Sequence, residues 1–197
     1  MVIALIAVML ALPSAASMAD NPTVAAGPMV GYADMRQVRL WLQTTAPAQV
    51  AIRYADTSDT TRWYWTQAVE TSLRTACVAH VIADSVEPGV IYRYDVYLDG
   101  RRVERPYPLL FRTPPLWQWR TDPPAFRIAL GSCAYINESA YDRPGKPYGG
   151  DYHIFRAIAA TRPDVMLWLG DNVYFREPDW GSWTGMVRRY SHDRATA

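Results

Sequence analysis

From Pro22 to Pro115 the apolar side chains fall on alternate positions, and that period of two decides most of what the chain can fold into. "QVRLWLQT" sets Val38, Leu40 and Leu42 against Arg39, Trp41 and Gln43. "AQVAIRY" repeats the pattern with Val50, Ile52 and Tyr54, and "IYRYDVYL" with Tyr92, Tyr94, Val96 and Leu98. In an extended chain successive side chains point to opposite faces, so this alternation predicts strands with one buried face. "TRWYWTQAVE", "TACVAHVIA" and "LLFRT" add further short strands, roughly seven in all, with turn residues between them. Asp99 and Gly100 occupy the place where a tight hairpin turn wants residues tolerant of positive φ. Short strands at this spacing predict a β-sandwich of about a hundred residues, here 22–115.

Within that stretch "VEPGVIYRYDVYL" is similar to the corner and following strand of a fibronectin type III-like module. Tyr92 is then the corner tyrosine, its hydroxyl bonding backbone a few residues upstream. His80 reads as a packed or rim histidine. Cys77, three residues earlier and so on the opposite face, reads as a small buried hydrophobe. "TPPLWQWRTDPP" carries four prolines, which lack the amide that continued pairing needs, and 116–124 is read as a linker. Trp117 and Trp119 are expected to pack across the junction it makes, in preference to forming a carbohydrate platform.

The grammar changes at Ala125. "FRIALGSC" reads as a strand, and "GGDYHIFRAIAATRPD" as a helix with Asp151 as N-cap, a stripe of Ile154, Phe155 and Ile158, and Pro163 as its stop. "VMLWLG" is a continuous apolar run, as expected of a parallel strand covered on both faces. Strand, helix and strand make one βαβ unit. Trp183, Met186, Val187 and Tyr190 then recur at helical spacing and predict a second amphipathic helix. Two strands and two helices do not bury both faces of a sheet, so 125–197 is expected to be an incomplete α/β domain.

The first 19 residues combine an apolar run, broken by Pro13, with small residues ending at "SMA", and read as a signal peptide without its usual leading positive charge. The run is too short to span a membrane, which takes about 20 apolar residues. Export to the periplasm, cell envelope or medium follows, and there Cys77 and Cys133 would be free to pair as a disulfide. Net charge is +1, with Lys146 the one lysine, so no basic field supports nucleic-acid binding.

Ligands of open parallel sheets gather outside the carboxyl ends of the strands. Those ends carry Cys133 on one strand and Asp171 with Tyr174 on the other, and adjacent strands lie about 4.8 Å apart. A phenol binds well as phenolate only beside a strongly charged cation, because its ordinary pKa is near ~10. A thiolate is a soft donor that favours iron or zinc over calcium or magnesium, whereas carboxylate suits a bridge to a harder ion. The set therefore points to a redox-capable metal beside a hydrolytic one, with ferric iron as the phenolate's partner and two ions clamping a phosphoryl group. Each residue also has a plain reading: a packed thiol or half-disulfide, a turn aspartate, a covering tyrosine. His153 reads as an exposed helix-start residue, His192 carries no assignment, and Arg188 and Arg189 read as a solvated helix face.

"FRIALGSC", "RPDVMLWLGDNVY" and the helix ending "VRRYSHDR" resemble the start of the catalytic domain of PhoD-like alkaline phosphatases, a branch of the calcineurin-like metallophosphoesterases that carries a sandwich domain ahead of the catalytic one. The Gly-Ser-Cys and Gly-Asp-x-x-Tyr pair distinguishes this branch from relatives that open with Asp-x-His and continue with Gly-Asp-x-x-Asp. The resemblance implies that Cys133, Asp171 and Tyr174 are iron ligands, with Asp171 also bridging to calcium, and zinc the weaker candidate. It implies hydrolysis of phosphate mono- and diesters outside the cytoplasm by metal-held water or hydroxide. The branch's later acids, asparagine and histidines have no counterpart in this sequence, so the chain is expected to be an N-terminal portion, inactive by itself. The rival expectation is a non-catalytic exported binding or adaptor module built on the sandwich.

Overall fold

A computed structural model describes residues 21–148 and 152–195. The leader expected at 1–19 and the N-cap expected at Asp151 lie outside the described residues. Among the described residues nine strands precede residue 113: β1 Val24–Ala33, β2 Val38–Thr44, β3 Gln49–Asp56, β4 Tyr64–Trp65, β5 Val69–Glu70, β6 Val78–Ala83, β7 Ile91–Leu98, β8 Arg101–Val103 and β9 Leu110–Arg112. They form a three-stranded sheet ordered β1-β2-β6 and a six-stranded sheet ordered β4-β3-β7-β8, with β5 also on β3 and β9 also on β7. The pairings within both sheets are antiparallel.

The alternation sorts as its period demands. Val38, Leu40 and Leu42 of β2, with Ala79, Val81 and Ala83 of β6, meet Val50, Ile52 and Tyr54 of β3 and Val96 of β7 in one core. All of these are fully buried. Removing that apolar area from water is what holds the two sheets face to face. Tyr92 keeps its corner role: its hydroxyl accepts from the Glu87 amide at 2.8 Å, and its ring stacks on Phe111 with centroids 5.2 Å apart. Asp99 and Gly100 turn the β7–β8 hairpin with φ of 49° and 76°.

Three expectations are corrected in this half. β1 was not foreseen, because Gly27, Pro28 and its alanines break the alternation and its pairing with β2 shifts register three times. Cys77 is buried but precedes β6, in a left-handed conformation, rather than extending that strand. Trp119 does not pack across a junction: it is 93% exposed.

After Arg127 come β10 Ile128–Gly131, α1 His153–Ala160, β11 Val165–Trp168 and α2 Trp183–Ala195. β10 and β11 pair in parallel, Ile128 against Val165 through Gly131 against Trp168. The Arg127 amide donates to Asp164 Oδ2 at 2.8 Å and fixes the base of the pair. The expectation of a strand buried on both faces does not hold among the described residues, where Val165, Leu167, Trp168 and Leu169 are all exposed. A two-stranded sheet has too little surface to cover them.

Helix α2 also differs from its sequence reading. Trp183, Met186 and Tyr190 of the expected core stripe are exposed, and the residue it buries completely is Arg189. Its C-terminal half rests on the small sheet, where Gln43 Nε2 donates to Ser191 Oγ at 2.8 Å and the Arg194 guanidinium lies 5.4 Å from the Trp41 ring centre. At the start of α2, a Cβ on Gly185 would come within 2.8 Å of the Asp179 carbonyl oxygen, so only glycine lets the helix approach that backbone.

Candidate metal centre

The parallel register of β10 and β11 continues into the loops beyond them. Leu169 donates to the Gly131 carbonyl at 2.7 Å, and Ala134 to the Asp171 carbonyl at 3.0 Å. The two strand tips are thereby held side by side. The three candidate ligands meet there: Asp171 Oδ2 lies 3.7 Å from Cys133 Sγ and 3.0 Å from the Tyr174 hydroxyl, which donates to it.

Backbone geometry makes this possible. Gly170 has φ of 119°, a conformation that side chains rarely tolerate, and it reverses the chain directly after the strand. Cys133 and Asp171 both sit in the left-handed region, with φ of 59° and 51°. Aspartate visits that region readily, but cysteine does so at a cost of about 1–3 kcal/mol, a strain that tends to be retained where a side chain must be aimed. Cys133 and Asp171 are exposed and Tyr174 is half-buried, so the cluster opens to solvent.

Interaction with the Cys133 thiol first, then desolvation and the Asp171 carboxylate, push the Tyr174 phenol above its ordinary pKa. Left to these neighbours the phenol keeps its proton. A cation at the cluster reverses that balance, since it stabilises thiolate, carboxylate and phenolate together. Cys77 and Cys133 are both free thiols. Among the described residues no group of three or more His, Cys, Asp or Glu side chains converges to hold a metal, so the phenol is what makes this cluster a three-donor set.

Beneath the cluster lies an ion-pair network that the sequence reading missed. Arg176, almost fully buried, donates through Nε to Asp142 Oδ1 at 2.9 Å and through Nη2 to the Ile136 carbonyl at 2.7 Å. Its Nη1 donates to the Tyr174 carbonyl. The guanidinium also lies 4.2 Å from the ring centre of Tyr135, which packs on Tyr174 at 5.2 Å between centroids. Arg176 therefore ties the loop after β10 to the loop after β11 and fixes the backbone from which the phenol projects.

Arg189 supports the arrangement from α2. It donates to Asp179 Oδ2 at 2.7 Å and to Glu138 Oε2 at 2.6 Å. The solvated face expected for Arg188 and Arg189 is thus wrong for Arg189, while Arg188 remains partly exposed and pairs with Glu138 at 2.6 Å. His153 is exposed, and His192 lies 3.0 Å from Asp193.

The network carries a pH dependence. Burial pushes the Asp142 carboxyl up, but hydrogen bonds from Arg176, Tyr135 and the Glu138 amide outweigh it and bring its pKa down to about 2. The ordinary aspartate value is about 3.9. A depressed folded pKa contributes stability that is present above the unfolded value and lost as pH falls through the folded one. Acidifying from about pH 4 to about pH 2 is therefore expected to release the 135–142 loop. Near-UV circular dichroism of the Tyr135, Tyr148 and Tyr174 group should fade over that window, and a signal unchanged down to pH 2 would contradict the assignment.

No curated protein matches the chain. The profile of a family described as "Domain of unknown function (DUF7800)" matches residues 21–114. Among solved structures, one of PhoD aligns with 90% of this chain at 17% identity and a TM-score of 0.61, and the two share that fold. The aligned region spans 35% of the PhoD chain. The sensor domain of the anti-sigma factor RsgI4 from Pseudobacteroides cellulosolvens covers 49% of this chain and 92% of its own, at 11% identity and a TM-score of 0.38. A human collagen alpha-1(XX) fn3 domain covers 51% and 92%, at 18% identity and a TM-score of 0.34. Among the described residues no helix is long and apolar enough to cross a membrane.

Proposed function

We propose that this chain is the N-terminal part of an exported, metal-dependent phosphoric ester hydrolase of the PhoD-like type, in which residues 125–197 begin a metallophosphoesterase domain. One observation carries the reading: a thiol, a carboxylate and a phenol converge on Asp171 Oδ2 at the carboxyl ends of two parallel strands. This donor set fits iron, with Cys133 as the soft ligand and Tyr174 as the phenolate, and Asp171 is the group suited to share a neighbouring calcium. When bound, these ions supply electrophilic charge for the ester's phosphoryl oxygens and a nucleophile active near neutral pH.

The chain's own residues prepare the place. Cys133 and Asp171 are fixed by the paired loops, Tyr174 is oriented through Arg176, and the open mouth admits a phosphate mono- or diester from solvent. Cys77 is buried in the sandwich and Cys133 exposed at the strand tip, which leaves the Cys133 thiol available as a ligand. Export from the cytoplasm belongs to the proposal and rests on residues 1–19.

Three donors leave a two-metal site open, so the isolated chain is expected to take up iron without turning over substrate. Titration with ferric citrate, followed by elemental analysis after desalting, should find about one iron per chain, consistent with a single three-donor cluster. A chromogenic phosphodiester should show no turnover with iron and calcium added. A chain that retains no iron would overturn the reading, and robust turnover would overturn the expectation that this portion is inactive.

A further inference from the structure

The edge of the six-stranded sheet opens between β8 and β9. β8 pairs with the C-terminal end of β7, Val96 against Val103, and β9 with its N-terminal end, Arg93 against Leu110. The chain between them leaves the ladder, and Pro106 and Pro108 account for this because neither has an amide to donate. The gap forms a cavity of about 560 Å³. That lies within the range of small-molecule sites, about 300–1,000 Å³.

Its walls bring together Arg53, Arg93, Arg102 and Arg105, with Asp95 and Glu104 as the acids, which leaves a surplus of two positive charges. Arg53 and Arg102 share Asp95, each at 2.8 Å, and Arg102 also reaches Glu104. Among the described residues Arg93 and Arg105 meet no carboxylate. The Arg93 guanidinium lies 4.5 Å from the ring centre of Trp63, and that of Arg53 lies 4.2 Å from the same ring. Arg105 Nη2 donates to the Gly27 carbonyl at 2.9 Å and to the Tyr107 hydroxyl at 3.0 Å. These contacts fix the Arg93 and Arg105 guanidinium groups in place without neutralising them. Arg53 Nε is in addition buried with no hydrogen-bond partner.

We propose that this cavity is a binding site for a small molecule that carries an oxyanion, a phosphate or a carboxylate. The planar guanidinium fork matches both phosphate and carboxylate, and preset forks lose little entropy on binding. Trp63 is engaged by two guanidinium groups, so it serves to order them and is not left free as a stacking platform for an aromatic base. Every wall residue lies between Arg53 and Leu110, so the site does not depend on the Cys133 cluster or on the hydrolase reading.

Isothermal titration of the full chain tests this, with inorganic phosphate, glucose 6-phosphate and glucuronate as probes. A chelator is present throughout, so that metal at the Cys133 cluster cannot contribute. Saturable binding of at least one probe is expected, weakened by salt and about tenfold by Arg93→Gln or Arg105→Gln. Binding of the phosphate probes identifies a phosphate-bearing ligand, and binding of glucuronate alone identifies a carboxylate. Near-UV circular dichroism confirms that each variant is folded. No saturable binding of any probe, or binding that both folded variants leave unchanged, overturns the proposal.

Discussion

Arg189→Ala is expected to loosen α2 by about 3–5 kcal/mol, whereas Arg188→Ala one residue away changes its stability by about 0–1 kcal/mol. The two residues are alike in sequence and opposite in environment. The Arg189 side chain is fully buried, and it satisfies Asp179, itself buried, and one oxygen of Glu138. Truncation leaves those carboxylates desolvated beside a cavity, and the cost of breaking a buried pair far exceeds the pair's net worth. The Arg188 side chain is 43% exposed, so water and salt take over most of what it loses. Hydrogen exchange reads the difference locally. In Arg189→Ala the α2 amides should exchange about 100-fold or more faster, while the β3 and β7 amides keep their protection. Equal effects from the two substitutions would show that the network is not what anchors α2. Asp179 also accepts from the Arg176 amide at 2.9 Å, so the disturbance should reach the segment that carries Tyr174.

Those two arginines also mark how far the sequence could be read. The sandwich core was legible because a strand's burial is written locally: once Leu40 and Leu42 face inward, Arg39 and Trp41 face the other way. The Tyr92 corner was legible for the same reason, since its partner Glu87 is five residues away. The meeting of Cys133 with Asp171 was legible at one remove, because parallel pairing of two apolar runs carries their tips into register. Periodicity failed for α2. The apolar stripe Trp183, Met186 and Tyr190 is a correct statement about the helix and a wrong one about what covers it. Arg189 is buried by Asp179 and Glu138, the latter 51 residues earlier, and no helix-local pattern encodes that distance. The left-handed turns at Cys133 and Asp171 were hidden as well, because neither is the glycine that usually announces positive φ.

Asp171→Asn should abolish stoichiometric iron uptake, lowering affinity by at least about 100-fold, the upper end of what losing a mere supporting residue costs a metal site. Asp171 Oδ2 is the one atom that both Cys133 and Tyr174 approach, so its charge is the centre of the set. An amide in its place keeps size and shape but removes the anion that draws in a trivalent cation, and it offers the phenol no reason to give up its proton. Asp171 is exposed, and surface substitutions of this kind stay within about 0.5 kcal/mol, so lost uptake reports on ligation and not on folding. Tyr174→Phe separates the donors further. If iron binds through the phenolate, the wild-type complex carries a visible tyrosinate-to-iron charge-transfer band. Phenylalanine should erase that band even where the thiol and carboxylate still retain some metal. Iron bound by Asp171→Asn as tightly as by the wild type would move the metal away from these strand tips. A band that survives in Tyr174→Phe would assign it to one of the chain's other tyrosines.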